Sequence, residues 1–191
     1  MGGVTVYFDF ETGGVEERHP SIQLAAIAVS DDSGIELGAF EQKIKFNEKD
    51  CDPVALEINH YNPEAWKDAV EPAIVATRFS RFLDGFKCVK NIGKRTGNPY
   101  YVAKMSGYNV ITFDWPRLKQ LFGSNFLPCS YHVRDVLQRV IFWFDENPQE
   151  TVTDYKLGTV CSHFNISTIG AHDALADVRM TAKLARVLKE S

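Results

Sequence analysis

Residues 4–11 alternate Val4, Val6, Phe8 and Phe10 with Thr5, Tyr7, Asp9 and Glu11. A period of two is the signature of a strand. It sends the four apolar side chains to one face and the polar set to the other. One face must therefore meet a core, and the other carries two carboxylates close together. Residues 21–30 read as a second strand, apolar through its middle and so buried. Residues 35–46 read as a third, after a turn at Asp31-Asp32-Ser33-Gly34. Short connections make these three an antiparallel meander.

Helical spacing dominates the rest. A helix is expected from about Pro53, and another over 72–83, where Ile74, Val75, Phe79, Phe82 and Leu83 fall on one side. Residues 100–107 read as a strand, 115–122 as a short helix, and a strand near Tyr131 leads into a helix over 136–144. Residues 157–164 and 174–189 complete the set. A meander followed by alternating helices and strands implies an α/β sandwich with a mixed central sheet flanked by helices. At 191 residues and 45% hydrophobic, the chain suits a single domain with an ample core. Residues 87–104 stand apart. They carry Lys87, Lys90, Lys94, Arg95 and Lys104 with Tyr100 and Tyr101, hold no acidic residue, and read as a basic hairpin insertion.

Several classes are disfavoured. No run of about 18 apolar residues indicates a membrane span. The N-terminus lacks a basic region followed by an apolar stretch, so no signal peptide is expected and the location expected is cytoplasmic. Cys51, Cys88, Cys129 and Cys161 are widely separated, against a zinc site or a disulfide framework. A net charge of −4 is not the bulk signature of a nucleic-acid binder. An acidic cluster that binds cations would count as acidic all the same.

Three segments carry the chemistry. Asp9 and Glu11 share a strand face, and their mutual repulsion calls for a cation. Hard divalent ions take such oxygen ligands. Thr12-Gly13-Gly14 then ends the strand and lets backbone approach a ligand. In the second segment, Gly107 to Leu118, Asp114 lies where a helix begins, a position that suits an N-cap with or without metal. In the third, His172 and Asp177 are five apart, about 140° on an ideal helix. With Asp173 as the cap, His172 falls in the preceding loop and Asp177 in the first turns, facing inward.

These segments resemble, in order and local context, the three motifs of the DEDDh 3′–5′ exonucleases of the ribonuclease H-like superfamily. That family includes polymerase proofreading subunits, single-strand DNA exonucleases, ribonuclease T and oligoribonuclease. Phe8-Asp9-Phe10-Glu11-Thr12-Gly13 resembles the first motif, Asn109 through Asp114 the second, and His172 through Asp177 the third. The resemblance spans about residues 4 to 188.

It implies a ribonuclease H-like fold and two divalent ions, Mg2+ or Mn2+, about 4 Å apart. Asp9 would bridge them, Glu11 and Asp177 would complete one site, and Asp114 would bind the second ion through water. His172 would take the proton from the attacking water. The products would be a nucleoside 5′-monophosphate and a strand shortened at its 3′ end. Thr12 and Gly13 would meet the terminal nucleotide, with backbone N–H near its 3′-hydroxyl. His60 or Tyr61 would stack on a base, and Asn109 would shape the groove. The partner implied is single-stranded nucleic acid, with DNA favoured over RNA by the four residues between Asn109 and Asp114. Some family members are homodimers or serve a polymerase, so either partner is open here. All five catalytic positions hold the expected residue types, which argues against a binding module that has lost its chemistry.

Overall fold

The computed structural model describes residues 3–170 and 173–190. The alternating N-terminal segment forms β1 (Val4–Thr12), in the middle of a six-stranded sheet. β2 (Ser21–Ser30) pairs antiparallel with β1, and β3 (Glu36–Lys43) antiparallel with β2. This is the expected meander. The third strand stops short of residue 46, because Ile44 leaves the ladder to bridge Val70.

Two helices follow. α1 (Pro53–Ile58) starts where the Asp52 side chain accepts from the Val54 N–H, with Pro53 at the first helical position. α2 (Pro72–Asp84) buries Val75, Ala76, Phe79 and Leu83 along one stripe. β4 (Lys87–Ile92) and β5 (Pro99–Gly107) form the basic hairpin. The upper half of β5 runs parallel to β1, with Thr5 opposite Lys104. β4 takes over that same edge of β5 just below, with Lys87 opposite Ala103. The hairpin therefore overhangs the end of the sheet where β1 begins.

α3 (Asp114–Phe122) follows β5, and β6 (Arg134–Asp135) pairs parallel with its other edge at Ser106 and Gly107. This strand is two residues long and lies beyond the expected Tyr131. α4 (Val136–Glu146), α5 (Leu157–His163) and α6 (Ala174–Glu190) complete the order, within about two residues of expectation at most ends.

The pleat sorts the core into two layers. Val6, Phe8 and Phe10 pack with α2 and α3 residues such as Phe79, Leu83 and Leu118. On the opposite face Ala25 and Ile27 meet Ala174 and Val178 of α6, while Met180, Leu184 and Leu188 join Val136, Val140 and Phe144 of α4. Helices thus cover both faces of a mixed sheet. No helix among the described residues is long and apolar enough to cross a membrane.

Candidate active site

Asp9 and Glu11 project from β1 toward α6, since Phe8 and Phe10 point into the opposite core and are 1% and 3% exposed. The Asp173 carboxylate accepts from the Ala176 N–H at 3.0 Å and so caps α6. That start places Asp177 in the first turn, over β1. Carboxylate oxygens of Asp9, Glu11 and Asp177 lie within 4.8 Å of one another. Asp114 comes from the other layer. Its carboxylate accepts the Phe10 N–H at 3.0 Å, and the residue is 1% exposed. It is not the N-cap that its sequence position suggested. Phe113 holds that position without a side-chain cap, because the Asp114 carboxylate reaches across to β1. His172 lies outside the described residues.

Burial and like charge raise the proton affinity of this cluster. Burial, then Asp114, Glu11 and Asp177, hold Asp9 well above the usual carboxylate range. Glu11 is pushed up to about 7 by burial, then by Asp177 and Asp173. Burial also raises Asp114, against the lowering effect of the Phe10 N–H and the Arg117 cation. Crowded carboxylates of this kind, three of them within reach of one point, suit a hard divalent cation in place of protons.

Arg117 is a residue that the motifs did not single out. It is 8% exposed, its guanidinium sits 3.7 Å from the centre of the Phe113 ring, and Nη1 donates to the Phe113 carbonyl at 2.9 Å. Its Nη2 reaches the Glu16 carbonyl at 3.5 Å. The side chain thus links the start of α3 to the loop after β1, next to Asp114. Its Nε is buried without a hydrogen-bond partner among the described residues. Asn59 is a second unforeseen link, donating to the Thr12 carbonyl at 2.8 Å. No periodicity marks either one.

The residues expected to bind substrate are mostly engaged within the protein. The Gly13 N–H donates to the Pro20 carbonyl at 2.8 Å, so it is not the free donor expected near a 3′-hydroxyl. A Cβ at Gly13 would collide with Cys51 Sγ, which gives the glycine a packing reason. The Thr12 hydroxyl donates to the Gly14 carbonyl. Tyr61 is packed edge-on against Phe46 and Trp66, and its hydroxyl donates to Glu48 at 2.6 Å. These contacts pack the ring within the protein. His60 is exposed, in a left-handed conformation at φ 50°.

Asn109 borders a groove of about 560 Å³ beside Asp177, with Tyr108, Tyr155 and Lys156 on its walls. Its φ of 54° is left-handed, a conformation that Asn tolerates and β-branched residues resist. Asn109→Val is expected to lower stability by about 1–2 kcal/mol, while Asn109→Gly stays near wild type. Urea unfolding checks this, and equal midpoints for the two variants would contradict the conformational argument.

A mixed sheet with helices on both faces, and carboxylates converging at the C-terminal end of its middle strand, defines a ribonuclease H-like nuclease. The ribonuclease T exonuclease family model matches residues 6–185. The chain belongs to that exonuclease family and is of the DEDDh type. Among solved structures it is similar to the zinc-bound complex of E. coli exonuclease I with single-stranded DNA, at 21% identity and TM-score 0.74. That match covers 100% of this chain and 41% of that one. Exonuclease I from Methylocaldum szegediense matches at 23% identity and TM-score 0.77, over 98% of this chain and 40% of that one. The chain therefore spans about two-fifths of the length of these exonuclease I structures, and at such identities the likeness is one of fold. A comparison with curated protein sequences finds no match.

Proposed function

We propose that the chain removes nucleoside 5′-monophosphates from the 3′ end of single-stranded DNA by two-metal hydrolysis. The convergence of Asp9, Glu11 and Asp177 beside buried Asp114 carries this reading. Asp9, Glu11 and Asp177 would hold one divalent ion, and Asp9 with Asp114 the other. The ions, when bound, would supply an acidified water and charge stabilisation for the phosphoryl transition state. Asp114 is kept in place by the Phe10 N–H, and Asp177 by the cap that Asp173 sets on α6. His172, one residue before that cap in sequence, accepts the proton of the attacking water in this scheme. Single-stranded DNA as substrate is supported by the spacing of Asn109 and Asp114, and by the E. coli exonuclease I complex with a dA16 oligonucleotide.

The test compares 5′-labelled single-stranded DNA, duplex DNA and RNA with Mg2+ or Mn2+, and with chelator. Stepwise shortening of the single strand and release of 5′-mononucleotides, suppressed by chelator, is the expected result. Internal cleavage, or RNA cut faster than DNA, would overturn the polarity or the substrate.

The basic hairpin enters this function only at a distance. Nine residue steps separate Pro99 from Asp9 along paired β5 and β1. At roughly 3.3 Å each, that places the turn bearing Lys94 and Arg95 about 30 Å from Asp9. Charge reversal at both is expected to weaken binding of long single strands and flatten its salt dependence. Short oligonucleotides should bind as before. Equal weakening for both lengths would contradict this placement.

A further inference from the structure

A second cavity lies away from the carboxylates. It has a volume of about 1070 Å³ and lies between α6, the start of α4 and the end of the sheet where β1 begins. Its walls are of two kinds. Val29 and the Tyr7 ring, both half-buried, offer apolar surface. Around them stand seven cationic side chains and five carboxylates, an excess of two positive charges.

Most of the carboxylates are already engaged. Asp31 pairs with Lys104, Glu36 with Arg179 and Glu190 with Arg186. The Asp135 carboxylate accepts from the backbone N–H groups of Ile111 and Leu137. Arg134, Arg139, Lys183 and Lys189 are thereby left with no carboxylate partner among the described residues. Arg139 is held in place, since its Nη2 donates to the Leu188 carbonyl at 2.6 Å. Tyr7 adds a hydroxyl that makes no hydrogen bond to any described residue.

Cations in excess of the carboxylates on a concave surface favour an anion. An apolar wall inside the same cavity favours an organic body attached to it. We propose that this cavity is a second ligand site, and that it takes a phosphomonoester dianion carried on an apolar body, the chemistry of a nucleoside monophosphate. The dianion matches the charge excess. Lys183 and Arg139 would receive the phosphate, the Tyr7 hydroxyl would donate to it, and Val29 would lie against the base. The site stands apart from the exonuclease reading, although a nucleoside 5′-monophosphate is the product in that reading.

Calorimetric titration of the intact protein in chelator, which silences a metal-dependent site, tests the proposal. The probes are 2′-deoxyadenosine 5′-monophosphate, deoxyadenosine and inorganic phosphate. The mononucleotide is expected to bind saturably, with Kd below about 1 mM and a loss of roughly tenfold in Lys183→Gln. Tyr7→Phe should weaken it less, and both competitors should bind more weakly. Lys183 is exposed and makes no ion pair among the described residues, so its replacement leaves the fold intact. Three results would overturn the proposal: no saturable binding in chelator, binding unchanged in Lys183→Gln, or inorganic phosphate binding as tightly as the nucleotide. Failure of exonuclease activity would leave the titration interpretable, because no turnover is involved.

Discussion

Asp9→Asn is expected to slow cleavage about a thousandfold or more and, at pH 8 in chelator, to raise the melting temperature. The two effects have one cause. Asp9 is the carboxylate that faces all three others, and burial and their charges hold its proton affinity well above the ordinary range. A charge kept in such company costs stability when no cation is present. Asparagine keeps the shape and removes the charge, so the metal-free fold gains. It also removes the anionic ligand shared by both proposed ion sites. Loss of several kcal/mol of transition-state stabilisation corresponds to about three decades in rate. Single-turnover cleavage and thermal melting on the same preparation check both halves. Full activity would remove Asp9 from the reaction centre. A lower melting temperature in chelator would mean that the cluster is not repulsive.

Much of this site was legible because it follows from local periodicity. The period of two over residues 4–11 put Asp9 and Glu11 on one face and Phe8 and Phe10 on the other, as found. The spacing after Asp173 placed Asp177 in a first helical turn, also as found. Asp114 was different. A carboxylate at a helix start reads as a cap, but its partner is the Phe10 N–H, 104 residues away. Local propensity cannot anticipate a hydrogen bond that only sheet-to-helix packing creates. Tyr61 shows the same limit, since its contacts with Phe46, Trp66 and Glu48 come from packing that local propensity does not reveal. The hairpin was expected from composition, yet its direction depends on which edge of β5 it shares with β1. Pairing geometry alone settled that.

In chelator, stability is expected to fall as pH rises from about 4.5 to 8, and saturating Mg2+ or Mn2+ is expected to remove most of that fall. Glu11 is raised to about 7 and Asp114 to about 8 in the folded protein. Unfolded carboxyls titrate near 4. Between those limits the folded chain binds protons that the unfolded chain has released, so stability declines with pH. The penalty is absent below the unfolded values and complete above the folded ones. For Glu11 alone, a shift from 4.5 to about 7 is on the order of 3 kcal/mol. Divalent ions replace the protons and bind the folded state preferentially, which adds stability by mass action. The gap in melting temperature between metal and chelator should therefore widen from pH 5 to pH 8, to on the order of 10 °C for a chain of this size. Surface acids do not blur the window. Hydrogen bonds from Arg18, Arg179 and Thr159 lower Glu16, Glu36 and Asp154, and that stabilisation is present above the unfolded values and lost only in acid. Melting curves at four pH values, with metal and with chelator, decide the matter. A gap that stays constant would show that the metal does not replace protons on these carboxylates.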